Sequence, residues 1–254
     1  MVATKMNVRN LPQKYSDLQA WVHDRLIADR ALKLHAYILE HAKLADILAE
    51  QQERSVLDVG CGGGQSVIRM KERYPHLHLT GIDLSADQIA RARQRGQRKG
   101  YVLQFEVADA QALPFPDASF DVVFSFGSAK HWPDPLKGIS ECWRVLKPGG
   151  ELLVADATSD VTKEQVVNFY KISRFPRLFQ EPITALLYKR MFRPARPMET
   201  YHHIADQLEM PQGTVSHLPL MPAFLFRTQK PQPGSQNPTQ DHGTQCRTPE
   251  SKSS

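Results

Sequence analysis

Three aspartates stand in or at the ends of short apolar runs. Asp58 lies within Ser55–Gly60, Asp83 closes Leu77–Asp83, and Asp109 closes Val102–Asp109. The first run opens directly into Gly60-Cys61-Gly62-Gly63-Gly64. Glycine in such a turn permits positive φ and lets a ligand approach the backbone with no Cβ in the way. A helix that follows presents unpaired N–H groups to an anion such as a carboxylate. Ligands of open α/β sheets bind beyond the carboxyl ends of the strands, where these acids would be staged. A dinucleotide fingerprint, G-x-G-x-x-G, would need glycine at position 65, where the chain has Gln65, and has no use for Asp58 or Asp109.

The elements that must hold these residues alternate. Ser55–Gly60 reads as a strand, followed by the glycine turn and a helix through about Arg73. Leu77–Asp83 is a second strand, and Ser85 with Gln88 has capping-box spacing ahead of a helix bearing Ile89 and Ala92. Val102–Asp109 and Phe120–Phe126 are the third and fourth strands. Asp134-Pro135 starts a helix as N-cap and first-turn proline, with Leu136, Ile139, Trp143 and Leu146 as its apolar stripe. Lys147–Gly150 reads as a turn and Glu151–Ala157 as the fifth strand. Two short strands, about Gly213–Leu218 and Ala223–Thr228, finish the pattern, so the expected fold is α/β: a Rossmann-like, doubly wound, mostly parallel seven-stranded sheet with an antiparallel last strand.

Three regions flank this core. Residues 1–50 are expected to form an N-terminal helical cap, with Leu34, Tyr37, Ile38, Leu44 and Leu48 on one helical face. Residues 51–228 make the main domain, with a helical insert at about 160–210 between strands five and six. Residues 229–254 lack Val, Ile, Leu, Met, Phe, Trp and Tyr and read as a disordered tail.

Val56-Leu57-Asp58-Val59-Gly60-Cys61-Gly62-Gly63-Gly64 resembles motif I of class I S-adenosylmethionine-dependent methyltransferases. Thr80–Ser85 resembles the second motif. Ala108-Asp109-Ala110, Leu113-Pro114-Phe115 and Phe120–Val123 match later blocks, and Arg144–Gly150 is similar to the signature before strand five. The likeness covers Ser55 to Ala157 and is nearest the subgroup of small-molecule and quinone-precursor methyltransferases. It implies S-adenosyl-L-methionine as cofactor and assigns roles by position. Asp58 and the loop Gly60, Cys61, Gly62 and Gly64 would hold the methionine portion. Asp83 would accept from both ribose hydroxyls, Leu84 would pack on adenine, and Asp109 with Ala110 would read the adenine edge. Ser125 and Phe126 would line the sulfonium and methyl side.

The acceptor side departs from the family pattern at Phe126-Gly127-Ser128-Ala129-Lys130-His131-Trp132, where His131 is the candidate general base or acceptor-pocket residue. A sulfonium is an activated methyl donor, so transfer needs chiefly alignment. The expected function is methyl transfer to a small-molecule or lipid-like acceptor. The alternative is a non-catalytic S-adenosylmethionine-binding or regulatory module on the same fold. No Asn-Pro-Pro-Tyr motif is present, which weighs against nucleic-acid bases.

Composition agrees with a soluble enzyme. The chain has 254 residues, 41% apolar and 23% charged, and no run approaching a membrane span. Met1–Tyr15 lacks a secretory apolar core, and Cys61, Cys142 and Cys246 form neither a paired framework nor a metal spacing, so a cytoplasmic protein without a metal is expected. The formal charge is +5, from 32 Lys+Arg against 27 Asp+Glu. Residues 161–200 carry eight Lys/Arg (Lys163, Lys171, Arg174, Arg177, Lys189, Arg190, Arg193, Arg196) and three Glu, which equals the whole surplus. That stretch suits a helical cover over the acceptor, attraction of an anionic acceptor, or contact with an anionic membrane.

Overall fold

The computed structural model describes Ile38, Leu48 and residues 52–162, 165, 195–210, 213–219 and 222–234. Its centre is the apolar strand β1 (Ser55–Val59), whose alternate side chains enter two different cores. In chain order follow α1 (Gln65–Arg73), β2 (His78–Asp83), α2 (Ala86–Arg98), β3 (Gln104–Val107) and β4 (Phe120–Phe126). Then come a 3-10 turn (Ala129–His131), α3 (Pro135–Val145), β5 (Leu146–Ala157), α4 (Met198–Gln207), β6 (Thr214–His217) and β7 (Ala223–Gln229). The seven strands lie in the order β3-β2-β1-β4-β5-β7-β6. β1 pairs in parallel with both β2 and β4, and β7 is antiparallel to both β5 and β6. The last strand of the chain is therefore not the edge: it inserts between β5 and β6.

Each face of the sheet carries helices, as a doubly wound sheet requires. On one face Val56, Leu79, Phe105 and Phe124 meet Val67 and Met70 of α1 and Ile89 and Ala92 of α2. On the other, Leu57, Ile82, Val123 and Val154 meet Ile139 and Cys142 of α3 and Tyr201 and Ile204 of α4. The helix starts have the chemistry anticipated for them. Ser85 accepts from the Gln88 N–H at the head of α2, and Asp134 accepts from the Lys137 N–H with proline at the first turn of α3.

Three boundaries shift. The third strand is Gln104–Val107, shorter than Val102–Asp109, because Val102 is almost wholly exposed and Asp109 turns back into a bridge with Ala112. Lys147–Gly150, expected as a turn before the strand, is looped out within β5, between the pairs Phe120↔Leu146 and Val122↔Glu151. The ordered chain also passes residue 228. Gln229 pairs with Glu151, and Lys230 exchanges backbone hydrogen bonds with Gly149 and Gly150. Polar side chains hid this extension, since backbone pairing needs no apolar composition. Of the expected N-terminal cap, Ile38 and Leu48 are helical and buried; the rest of that cap, the bulk of the 160–210 insert and the tail beyond 234 lie outside the described residues.

Arg144 ties the Asp109–Ala118 loop to α3. Its guanidinium donates to both Glu141 carboxylate oxygens, to Asp117, and to the carbonyls of Leu113 and Phe115, at 2.8–3.0 Å. Glu141 completes the ring by accepting from the Leu113 N–H at 2.8 Å. Arg144→Met is expected to cost about 2–3 kcal/mol, since charge-assisted bonds to buried backbone are lost together. For a chain of this size that is a fall in Tm of roughly 4–12 °C. A shift under about 2 °C in thermal unfolding would show that the loop holds itself.

Candidate functional site

The strand order reverses between β1 and β4, and the loops leaving these two strands open a crevice at their carboxyl ends. The first loop is pinned to β2, because the N–H groups of Gly60 and Cys61 both donate to the Ile82 carbonyl at 2.8 Å. Gly60, Gly62 and Gly64 have φ of 83°, 53° and 76°, all left-handed. Gly64 heads α1 with no side-chain cap and no acid in the first turn, so the helix N-terminus is available to an anion.

Asp83, at the end of β2, accepts from the Gly62 N–H through Oδ2 and from the Ser85 N–H through Oδ1, both at 2.9 Å. These bonds orient the carboxylate at the carboxyl end of β2, facing the glycine loop. Asp58 is different. Its side chain is buried within β1 and takes no hydrogen bond among the described residues. Burial, and then the neighbouring Asp83 charge, push its carboxyl well above the usual carboxylate range. An acid in that condition is a site for a cation. Cys61 shares the environment; burial and the same two acids hold its thiol protonated and unreactive.

Leu84 leaves a large apolar side chain 47% exposed directly after Asp83. Asp109 accepts from the Gln111 N–H at 2.9 Å, and Ala110 beside it is half-buried. Gly62 has open space where a Cβ would stand. The groups present are of the chemical kinds that S-adenosylmethionine would need. Asp58 could take the ammonium, the α1 N-terminus the carboxylate, Asp83 the ribose hydroxyls, and Leu84 with Asp109 and Ala110 the adenine.

At the end of β4 the outcome is less direct. Ser125 is fully buried with its hydroxyl unpartnered, and Phe126 is also buried, in the core on the α1–α2 face. The surface there is carried by Gly127 and the turn after it. Ser128 lies against the glycine loop: a Cβ on Gly60 would fall 2.0 Å from its Oγ. That Oγ accepts from the Trp132 indole N–H at 3.0 Å. His131 projects from this turn and is exposed. Partial burial of its ring and the adjacent Lys130 charge lower its pKa, against a smaller opposing pull from Asp156.

Sequence reasoning did not single out Asp156, or Lys130 as its partner. Lys130 donates to Asp156 through both its backbone N–H (2.8 Å) and its Nζ (3.0 Å), and the Asp156 side chain is 1% exposed. The signal was available, since Asp156 is a fourth acid at a strand's carboxyl end. Arg196, counted above among cations that could attract an acceptor, instead donates to backbone carbonyls of this corner. Among the described residues no group of three or more His, Cys, Asp or Glu could hold a metal ion, and no helix is long and apolar enough to cross a membrane.

Residues 57–154 match the family described as "Methyltransferase domain". A demethylmenaquinone methyltransferase of Deinococcus radiodurans is 40% identical over 115 residues, covering 45% of this chain and 47% of that protein. The O-methyltransferase rstn1 of Aspergillus nomiae is 32% identical over 160 residues, covering 59% of this chain and 69% of that one. A SAM-dependent methyltransferase structure from Aquifex aeolicus superimposes with a TM-score of 0.53 at 18% identity, over 74% of this chain and 88% of that one, a likeness of fold. The chain spans about half the length of the first curated relatives it matches. The glycine loop, the staged acids, the strand order and these likenesses converge: the chain belongs to the class I S-adenosylmethionine-dependent methyltransferase family.

Proposed function

We propose that the chain transfers a methyl group from S-adenosyl-L-methionine to a hydroxylated, ring-containing small molecule of quinol or lipid-like type. The observation that carries the cofactor half is Asp58, a buried carboxylate with no hydrogen bond among the described residues, beside a glycine loop with open space at Gly62. When bound, the sulfonium supplies an already activated methyl group. The chain's own work is to grip, orient and exclude water. Asp58, Gly60, Cys61, Gly62 and Gly64 hold the methionine portion, Asp83 the ribose, and Leu84, Asp109 and Ala110 the adenine. Gly127 and Ser128 border the methyl side, with Ser125 and Phe126 as the buried support beneath.

The acceptor half rests on His131 and on the relatives. Their names include demethylmenaquinone, 27-O-demethylrifamycin SV and 2-methyl-6-phytyl-1,4-hydroquinone methyltransferases. A hydroxyl acceptor must lose a proton, and a histidine with lowered pKa is neutral and able to take it at pH 7. The rate should therefore be flat near neutrality and fall in acid, as pH drops through a value below the ordinary histidine pKa. The test is turnover of methyl-labelled S-adenosylmethionine with reduced demethylmenaquinone, 2-methyl-6-phytyl-1,4-hydroquinone and a simple phenol. His131→Ala is expected to lower kcat about 100-fold and to abolish the acid limb. Retention of half the activity removes His131 as the base. Cofactor binding with no transfer to any acceptor tried would favour the binding-module alternative.

A further inference from the structure

Two backbone segments far apart in sequence meet at the carboxyl end of β5, and one side chain joins both to the turn that carries His131. Ser159 N–H and Thr158 Oγ1 both approach the Arg196 carbonyl, at 3.4 and 3.3 Å. Asp160 Oδ2 accepts from the Met198 N–H at 2.8 Å. Residues 158–160 and residues 196–198 thus meet at this corner. The Arg196 guanidinium then reaches across to the turn after β4. It donates to the carbonyls of Trp132 at 3.0 Å, Pro133 at 3.2 Å and Lys130 at 3.4 Å.

Lys130 lies within the 3-10 turn, and Trp132 and Pro133 follow it directly, so the fork grips the turn at its exit. Ala129–His131 spans three residues and is closed by two backbone bonds, His131 N–H to Ser128 O and Trp132 N–H to Ala129 O. Such a turn needs outside support to keep one conformation. Asp156 supplies it at the front, through Lys130, and Arg196 at the back. A planar fork satisfies several carbonyls at once, which a lysine ammonium cannot do with the same geometry.

We propose that Arg196 is a positioning residue for methyl transfer: it fixes the Gly127–Asp134 turn, and with it His131, from the corner where residues 158–160 meet residues 196–198. This rests on the methyltransferase reading above. It also gives Arg196 a function distinct from attraction of an anionic acceptor, because three of its guanidinium bonds go to backbone carbonyls.

The test is hydrogen exchange of the full chain by NMR or mass spectrometry, with S-adenosylhomocysteine as the ligand probe. In Arg196→Ala, exchange at the His131 and Trp132 amides is expected to rise tenfold or more, while Val56 and Ile82 in the central strands stay within twofold. Arg196→Lys, which keeps the charge and loses the fork, is expected to fall between the two, and it serves if the alanine variant does not fold. Affinity for S-adenosylhomocysteine should stay within twofold in both variants. Unchanged exchange at His131 and Trp132, or a rise shared equally by the central strands, overturns the proposal. Failure of the parent chain to bind S-adenosylhomocysteine would instead sink the cofactor reading and with it the link to methyl transfer, while the exchange data would still decide whether Arg196 holds the turn.

Discussion

Asp58→Asn is expected to weaken S-adenosylhomocysteine binding roughly 10- to 150-fold while raising the Tm of the ligand-free chain. The two signs share one cause. In the free protein Asp58 is a carboxylate buried in β1, with no hydrogen bond among the described residues and the Asp83 charge nearby. Leaving a charged group in that state costs folding free energy, and the isosteric amide removes the charge with little change of shape. Binding reverses the balance, because the ligand brings an ammonium group. Losing one charge-assisted bond of about 1.5–3 kcal/mol gives the expected fold-change in Kd. Relief of about 1 kcal/mol in the free chain gives roughly 2–4 °C in Tm.

The pH dependence has a definite sign. A carboxyl whose folded pKa lies above its unfolded value binds more protons in the folded state, so its contribution to stability is lost as pH rises through the folded pKa. The Tm advantage of Asp58→Asn should therefore grow as pH rises through the folded pKa of the parent Asp58 and shrink as pH falls below it. Calorimetric titration and thermal unfolding at pH 5 and pH 8 measure both halves. A variant that binds normally, or one that loses stability at pH 8, would show that Asp58 already has a partner.

What could be read from the chain alone followed from short-range chemistry. The end of β2 at Asp83 and the caps at Ser85 and Asp134 are consequences of a few neighbouring residues, and each stands where those residues require it. The central strands were legible because both faces are buried, which leaves near-continuous apolar runs. The acceptor corner was not legible for the opposite reason. Lys130 and Asp156 are 26 positions apart, and Arg196 lies 64 positions from Trp132. Nothing local distinguishes an arginine that supports a backbone turn from one that faces solvent. Ser125 shows the same limit, since its place at a strand end suggested contact with a ligand and burial put its hydroxyl inside instead.

The glycine loop supplies a second large contrast, between two residues that the motif alone treats alike. At Gly62 a Cβ meets nothing within 4 Å, so Gly62→Ala pays only for the left-handed backbone, φ 53°, about 1–2 kcal/mol. The chain should fold, with Tm lower by roughly 2–8 °C. Binding of S-adenosylhomocysteine should fall at least tenfold, because the added methyl group takes space that the protein leaves open beside Asp83. At Gly60 the same substitution meets protein. The new Cβ would lie 2.0 Å from Ser128 Oγ and 2.3 Å from Ser128 Cβ, and φ is 83°. A serine Cβ cannot swing aside, so the turn after β4 must move, at about 1–3 kcal/mol for overpacking beyond the backbone strain. Gly60→Ala is thus the more damaging to Tm, and its damage extends to the turn that carries His131. Pairing it with Ser128→Gly removes the collision and leaves the strain. The double variant should therefore recover at least 1 kcal/mol relative to the sum of the single changes. Strict additivity would mean that the cofactor loop and the acceptor turn do not touch. Coupling of that size would locate the junction between the two halves of the site at this one contact, where the loop from β1 and the turn from β4 face each other across the point at which the sheet reverses.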